Sequence, residues 1–183
     1  SIKIKLSSFQ WCKKHFSFNF LKGVLIIIKI IKEKYTAAVI GVGRIGMLLE
    51  QDEKRLKPAT HFGMWSHQSN VDLVAVCDTT KENLNIAHKI NPKLKLYESA
   101  EEMLLKIKPD IVSISTWKDT HYKMMKLCIK HGVSAIVCEK PIAEKQEHAQ
   151  EIIIEAKENG IHLFINHRRR FDSLLYSFKD SLE

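Results

Sequence analysis

Residues 41–46 read Gly-Val-Gly-Arg-Ile-Gly, between the apolar run 37–40 and a second apolar run. A strand that ends at this glycine spacing and continues as a helix can bind a dinucleotide. Gly41 allows the tight turn, Gly43 lets a pyrophosphate approach the bare backbone, and Gly46 lets the helix pack closely on the strand. The N–H groups at the start of the helix would face the phosphates. An ordinary glycine-rich turn is the alternative interpretation.

Asp78 stands at the end of the next apolar run, residues 72–77. In a dinucleotide-binding fold, a carboxylate at this place accepts hydrogen bonds from the adenosine ribose and repels a 2′-phosphate. Asp78 follows Gly46 by 32 residues, whereas the usual separation is about 20. We expect an inserted loop, residues 57–70, to account for the excess. The alternative role for Asp78 is the N-cap of a helix over residues 81–90.

Lys140 is the candidate for acid–base chemistry. It follows the apolar run 133–138 and precedes Pro141, which restricts the turn. A lysine at a strand end, partly desolvated beside a bound cofactor, would have a lowered pKa and could exchange a proton with a substrate hydroxyl. A solvated loop lysine paired with Glu139 is the alternative, and the sequence pattern does not separate the two.

All of these residues follow predicted strands. Apolar runs alternate with helical patterns, and Ser99 and Glu102 have the spacing of a capping box. This alternation predicts an α/β fold, a doubly wound parallel sheet with strand order 3-2-1-4-5-6, in which ligands bind at the carboxyl ends of the strands. The predicted strands are 37–40, 72–77, 94–97, 111–115, 133–138 and 162–165. The predicted helices are 45–56, 81–90, 99–107, 121–131 and 144–159.

Composition limits the classes of function. The 183 residues carry a net charge of +8, but residues 1–34 hold +7 of it and the other 149 residues only +1. Because no basic face interleaved with aromatic residues follows, nucleic acid is not an expected partner. The four cysteines are widely spaced, and Cys77 and Cys138 lie in apolar runs. We therefore expect buried thiols, no metal site and a cytoplasmic location.

Residues 1–34 form a basic, apolar leader. Lys22, Lys29 and Lys32 interrupt any window of the about 20 apolar residues that a membrane span needs, and no small-residue cleavage site follows the apolar run. One interpretation is an amphipathic helix on an anionic membrane surface. An added helix or strand that covers the surface of the domain is favoured over it.

Five segments together resemble the amino-terminal half of the Gfo/Idh/MocA oxidoreductases, the family of glucose-fructose oxidoreductase and inositol dehydrogenase. The resemblance covers roughly residues 36–175, and its most specific element is the Glu-Lys-Pro tripeptide. It implies a Rossmann domain over 35–166 and, at 167–183, the start of a second domain of α+β type that is missing. The segments are 41–46, 74–78, 108–116 with His121, 138–141 and 166–171.

The resemblance implies NAD(P)-dependent oxidation of a hydroxyl on a sugar, a nucleotide-sugar or a cyclitol, or the reverse reduction. It also implies that Lys140 lies at the reacting centre, orients the hydroxyl and shares its proton. NAD is expected because Thr79 and Thr80 follow Asp78 without an arginine to receive a phosphate, whereas Lys81 leaves NADP open. The implied cofactor-binding residues are Gly41, Gly43, Arg44, Ile45, Gly46, Asp78, Thr116, Trp117, His121, Glu139, Lys140, Asn166 and Arg169.

Two departures from the family pattern affect the site. Trp117 stands where family members often carry a proline. The second domain would supply a catalytic histidine, the substrate pocket and usually the oligomer contact, so no general base is assigned among the nine histidines. His121 and His131 are interpreted as a cap partner and a surface residue.

We expect a homo-oligomer or association through apolar residues at 171–178. The alternatives to a catalytic fragment are a stand-alone dinucleotide-binding module and a fragment without retained function.

Overall fold

The computed structural model describes residues 33–167, together with the backbone of two short strands before them. The chain divides into two compact units, residues 1–33 and 34–183. In the first unit, β1 (Phe16–Leu21) pairs antiparallel with β2 (Val24–Lys29). The leader therefore contains strands where an amphipathic helix was one expectation. No helix of the described part is long and apolar enough to cross a membrane. Arg169 and the apolar residues at 171–178 lie outside the described residues.

The second unit contains a six-stranded parallel sheet with helices between its strands. Its order is β5-β4-β3-β6-β7-β8, which is the predicted order 3-2-1-4-5-6 of a doubly wound sheet. The strands are β3 (Tyr35–Ile40), β4 (Val71–Cys77), β5 (Lys95–Tyr97), β6 (Ile111–Ile114), β7 (Ala135–Glu139) and β8 (His162–Asn166). The helices are α1 (His61–Ser66), α2 (Lys81–Ile90), α3 (Ala100–Ile107), α4 (His121–Lys130) and α5 (Gln146–Glu158).

Each face of this sheet has its own apolar core. On one face, side chains of β3, β4, β6 and β7 pack with α3, α4 and α5, and Ile40, Ile114 and Ile136 are almost fully buried there. On the other face, α1 and α2 cover β3 and β4, with Val39 and Val76 fully buried. Because both faces are covered, the central strands are mostly apolar. The strands are parallel, so their carboxyl ends meet at one edge.

Most element ends follow the predicted signals. Ser99 caps α3 by accepting a hydrogen bond from the Glu102 backbone N–H at 3.3 Å. Gly132 has a φ of 69°, the left-handed conformation predicted for the end of α4. β6 and β8 begin at their predicted residues and end one residue away from the prediction, and β7 begins two residues and ends one residue later than predicted.

The first helix of the sheet domain differs most from its prediction, a continuous helix over 45–56. After the glycine turn the chain forms only a short 3-10 helix, Leu48–Gln51, and α1 begins ten residues later. The N–H groups of His61 and Phe62 donate to the carbonyl oxygens of Ile45 and Gly46, at 3.3 and 2.9 Å. In a continuous helix, such a bond joins an N–H to the carbonyl four residues earlier, whereas each of these two bonds joins residues that are 16 positions apart.

Twelve residues are thus inserted into one helix, and we call residues 49–60 the excursion. The excess over the usual separation of Gly46 and Asp78, 32 residues against about 20, has the same size. An insertion therefore does account for the long separation of Gly46 and Asp78. Its predicted position at 57–70 is wrong, because α1 lies inside that range. The predicted helix runs on to residue 56 because the apolar residues of the 3-10 helix have the spacing of a helical face.

Glu50 closes the excursion. Its Oε2 accepts hydrogen bonds from the Ala59 backbone N–H at 3.0 Å and from the Thr60 hydroxyl at 2.6 Å. Thr60 is the N-cap of α1 and accepts from the N–H of Gly63 at 3.0 Å. A Cβ at Gly63 would collide with the Glu50 carboxylate. One carboxylate therefore joins the two ends of the excursion and lets α1 start in register.

Replacing Glu50 by Ala should destabilise the domain by about 1–3 kcal/mol, because a buried hydroxyl and an N–H lose a charged acceptor. Urea unfolding of the wild type, Glu50→Ala and the exposed control Glu53→Ala measures this. The control should unfold like the wild type. Equal stability of Glu50→Ala and Glu53→Ala would show that the excursion is closed without Glu50.

Candidate functional site

The glycine turn is locked against the end of β6. Gly41 has a φ of 86°, and a Cβ there would lie 2.8 Å from the Thr116 nitrogen. A Cβ on Gly46 would overlap the carbonyl oxygen of Gly41. The Ser115 hydroxyl donates to that same oxygen at 2.7 Å, and its N–H donates to the Ile40 carbonyl. Two of the three predicted glycines are therefore required by contacts within the fold itself.

Gly43 is different because it faces open space. A Cβ placed on it would have no heavy atom within 4 Å. The carbonyl oxygen of Gly43 accepts from the N–H groups of Met47 and Leu48. Within residues 33–167, no acceptor is recorded for the N–H groups of Gly43, Arg44 and Ile45. Bare backbone with unpaired donors at the first turn of a helix fits a pyrophosphate.

Asp78 braces this turn from the end of β4. Its Oδ2 accepts from the Val42 N–H at 2.8 Å and from Asn83 Nδ2 at 3.3 Å, and its Oδ1 accepts from the Thr80 N–H at 2.8 Å. The N-cap of α2 is Thr80, so the alternative role of Asp78 as that cap is wrong. A carboxylate has about four acceptor positions, and Asp78 is half-buried at the edge of the sheet. It can therefore hold the turn and still accept from a ribose hydroxyl.

The loop after β6 carries three of the implied cofactor residues. Thr116 is half-buried and its hydroxyl accepts from that of Thr120 at 2.6 Å, whereas Trp117 is 84% exposed. His121 is only 1% exposed, with Nδ1 2.7 Å from the Pro141 carbonyl oxygen and Nε2 3.1 Å from that of Thr116. His121 thus lies beneath the loop as a bridge between two strand ends. The interpretation of His121 as a cap partner did not predict that its side chain is buried and contacts two carbonyl oxygens.

The ends of β7 and β8 bring Glu139, Lys140 and Asn166 together. Glu139 Oε1 accepts from Asn166 Nδ2 at 2.6 Å and lies 3.0 Å from His61 Nε2. Lys140 is exposed, and no ion pair of its ammonium group is recorded with any described residue. The alternative, a solvated loop lysine paired with Glu139, agrees with the exposure of Lys140, but its pairing with Glu139 is wrong, because that carboxylate is hydrogen-bonded to other donors. Lys140 is left directed to solvent at the carboxyl edge of the sheet.

Comparison with known proteins agrees with this geometry. Residues 35–167 match the Gfo/Idh/MocA family, described as an oxidoreductase family with an NAD-binding Rossmann fold. The chain belongs to this family. The predicted fold and family are thereby confirmed, and NAD is the cofactor of the family's Rossmann domain.

Relatives of this Gfo/Idh/MocA chain are longer than it is. D-glucoside 3-dehydrogenase of Escherichia coli K12 is 26% identical over 134 residues, 73% of this chain and 35% of the relative. Myo-inositol 2-dehydrogenase of Thermotoga maritima is 26% identical over 145 residues, 79% of this chain and 40% of the relative. The WlbA dehydrogenase of Chromobacterium violaceum, solved with NADH and UDP-GlcNAcA, has a TM-score of 0.69 at 25% identity and covers 83% of this chain and 40% of that one. The chain spans about a third to two-fifths of their length.

Three residues behind Glu139 were not identified from the sequence, the buried His61 and Ser113 and the half-buried Trp65. Trp65 Nε1 donates to Ser113 Oγ at 2.8 Å, and Ser113 Oγ lies 3.1 Å from His61 Nδ1. Ser113 offered a signal, because a hydroxyl inside a fully buried strand needs a partner. His61 and Trp65 could not be placed, because the predicted loop at 57–70 hid the helix that carries them.

The environment of Glu139 changes its acidity. Burial raises the pKa of its carboxyl, but hydrogen bonds from His61 and Asn166 and from the Lys140 backbone N–H lower it, and the net pKa lies below the ordinary value of 4.5. Glu139 is therefore ionised at neutral pH. It serves as an acceptor that fixes its three donors.

The cysteines of the described part are inert. Burial raises the pKa of Cys77 to about 12 and that of Cys138 to about 12, with Asp78 and Glu139 adding to the two shifts. Cys128 is also buried, with a raised pKa. The prediction of buried thiols at Cys77 and Cys138 is confirmed. Residues 33–167 contain no group of three or more His, Cys, Asp or Glu side chains that could hold a metal.

Acid should remove the stability that Glu139 contributes. Its folded pKa is below the ordinary value of 4.5, so the contribution is fully present above about pH 4.5 and is lost as the pH falls through the folded pKa. At about pH 6, Glu139→Gln should be less stable than the wild type by about 1–3 kcal/mol. Urea unfolding across this pH range measures the difference.

The exposed control Glu158→Gln should show no such dependence. A difference between the wild type and Glu139→Gln that stays constant or grows on acidification would contradict the assignment of Glu139 as the ionised acceptor.

Proposed function

We propose that the sheet domain binds NAD at the carboxyl edge of its strands and forms the cofactor half of an oxidoreductase that acts on a hydroxyl of a sugar, nucleotide-sugar or cyclitol. The observation that carries this proposal is the contrast among the three glycines. Gly41 and Gly46 are required by neighbouring backbone, whereas Gly43 has no structural need to lack a side chain. A ligand that approaches the backbone at Gly43 explains its identity.

The pyrophosphate would lie against the first helical turn, which follows the glycine turn. The N–H groups of Gly43, Arg44 and Ile45 can donate to it without breaking a hydrogen bond recorded for residues 33–167. Asp78 holds the Val42 N–H at 2.8 Å and so keeps the turn in this shape before a ligand arrives. A preorganised turn lowers the ordering cost of binding.

Asp78 also favours NAD over NADP. Its carboxylate would accept a hydrogen bond from the ribose and repel a 2′-phosphate. Lys81, the nearby cation that left NADP open, lies 3.5 Å from a carboxylate oxygen of Glu98. That exposed pair is weak, but Glu98 offsets the positive charge of Lys81. The Asp78 charge is then left to work against a phosphate at this position.

Lys140 is proposed as the catalytic residue. When bound, the nicotinamide supplies or accepts a hydride. Lys140 stands at the same edge as the glycine turn and is exposed, and the Glu139 carboxylate beside it in the chain is hydrogen-bonded to other residues. It can therefore donate a hydrogen bond to a substrate hydroxyl and exchange its proton. Thr116, Trp117 and Asn166 are proposed to line the cofactor side of this cleft, with His121 supporting them from below.

The class of substrate rests on the relatives. The two curated relatives are named for a glucoside and for myo-inositol, and the solved dehydrogenase was crystallised with a nucleotide-sugar. A hydroxyl-bearing ring is common to all three. We further propose a cytoplasmic location, in keeping with the buried, protonated thiols. A homo-oligomer is proposed from the family resemblance alone.

Gly43→Ala tests the cofactor site without disturbing the fold. The added methyl group meets no protein atom within 4 Å, so the urea midpoint should equal that of the wild type. NADH affinity, measured by calorimetry, should fall at least about tenfold because the methyl group occupies the space of the pyrophosphate. Gln51→Ala, an exposed change nearby, should bind NADH like the wild type. Unchanged affinity in a folded Gly43→Ala would contradict the proposed site.

Asp78→Asn tests the preference between the two cofactors. The amide keeps an oxygen for the Val42 N–H but loses the charge, so NADH binding should weaken about tenfold while NADPH binding weakens less or improves. Parallel titrations with NADH and NADPH give the ratio of affinities. Asp72→Asn, at an exposed position, should leave the ratio unchanged. An unchanged ratio in Asp78→Asn would remove Asp78 from the ribose site.

A further inference from the structure

We infer that His61 is a positioning residue, which holds the Glu139 carboxylate and through it sets the place of Lys140 at the cleft. The inference rests on the proposed function for the catalytic role of Lys140, but the contacts that carry it belong to this chain alone. They lie on α1, β6, β7 and β8, at the point where these elements converge behind the carboxyl edge.

The hydrogen-bond pattern fixes the His61 ring. Trp65 Nε1 can only donate, so the Ser113 oxygen accepts from it at 2.8 Å. The ionised Glu139 carboxylate can only accept, so His61 Nε2 carries a proton and donates to it at 3.0 Å. His61 Nδ1 lies 3.1 Å from the same Ser113 oxygen. Both ring nitrogens therefore have a partner, which holds the ring between Ser113 and Glu139.

Burial makes this arrangement strict. Ser113 is fully buried, the His61 side chain is 3% exposed and that of Glu139 is 13% exposed. In such surroundings an unpaired donor or carboxylate oxygen is costly, so rotation of either side chain away from the other is opposed. Asn166 binds the same oxygen, Oε1, from the carboxyl end of the neighbouring strand β8. Glu139 is therefore held from two sides in one orientation.

Lys140 follows Glu139 directly in the chain, and its backbone N–H is one of the groups that lower the pKa of the Glu139 carboxyl. The residue whose carboxylate His61 and Asn166 hold is therefore the one that leads into the Lys140 turn. Movement of Glu139 would let that turn shift, and the ammonium group would move with it. Effects of about 1 Å on a reacting group are large in catalysis.

The excursion explains how His61 reaches this position. The His61 N–H donates to Ile45 and continues the hydrogen bonding of the glycine turn as if residues 49–60 were absent. The same helical path therefore starts at the pyrophosphate turn and ends at the acceptor of the Lys140 turn. His61 connects the two parts of the proposed site through backbone and side chain.

The test uses ¹H–¹⁵N spectra of the whole chain, first without cofactor. The Lys140 amide signal should titrate with the Glu139 carboxyl in the wild type, because the amide follows Glu139 directly and interacts with its carboxyl group. In His61→Ala, the midpoint of this titration should move upward by about half a pH unit or more, since one donor to the carboxylate is lost. His61→Gln, which can donate to Glu139 and accept from Ser113, should restore most of the shift.

A second stage adds NADH. In the wild type and in His61→Gln, NADH should change the Lys140 amide signal, and in His61→Ala this change should fall by at least half. The control His88→Ala, an exposed histidine on α2, should match the wild type in both stages. If the wild type does not bind NADH, the proposed function fails while the titration without cofactor still decides the role of His61.

Wild-type behaviour of the Lys140 amide in a folded His61→Ala would overturn the inference. If His61→Ala does not fold, Ser113→Ala replaces it, because it removes the partner that orients His61 but keeps the ring. Ser113→Ala should shift the titration in the same direction, and His61→Gln should not. Equal titrations in these two variants and the wild type would overturn the inference as well.

Discussion

The sheet domain depends on the close approach of the glycine turn to the end of β6. Gly41 and Gly46 lack a Cβ because backbone atoms of Thr116 and Gly41 occupy that space. The Ser115 hydroxyl and the Asp78 carboxylate then hold the turn from two neighbouring strands. This contact brings the glycine turn and the loop after β6 within reach of one ligand. It also fixes the direction in which the first helical turn presents its N–H groups, and the proposed phosphate, ribose and substrate positions depend on that direction.

The polar residues behind the site extend this constraint across the sheet. The helix that begins at the glycine turn is interrupted for twelve residues and resumes in register, which Glu50 makes possible by joining both ends of the excursion. Its continuation carries His61 to Glu139, whose carboxylate also accepts from Asn166. The two ends of the cleft, which we propose for phosphate binding and for proton transfer, therefore share one support. The proposed reaction requires such support, because a hydride leaves the carbon while a proton leaves its hydroxyl oxygen.

The sequence predicted the sheet order because apolar runs, breakers and caps all agreed with one doubly wound topology. It predicted the glycine turn, Asp78 and the Glu-Lys-Pro turn because each follows a strand directly. It could not predict where the insertion lies, because Leu48 and Leu49 imitate helical periodicity and the bonds from His61 and Phe62 are long-range. For the same reason the sequence did not predict the hydrogen-bonded residues Trp65, Ser113, His61 and Glu139, whose contacts depend on α1 returning to the sheet. The double bridging by His121 also needed the three-dimensional positions of Thr116 and Pro141.

The central claim is that this domain is built to bind NAD through its glycine turn and Asp78. The most direct measurement is a fluorescence titration of the folded chain with NADH and, separately, with NADPH. The account predicts saturable binding of NADH and clearly weaker binding of NADPH, since the ribose side carries Asp78 and the Glu98 carboxylate that neutralises Lys81. Absence of saturable binding of either nucleotide to protein shown to be folded, or a preference for NADPH, would contradict it.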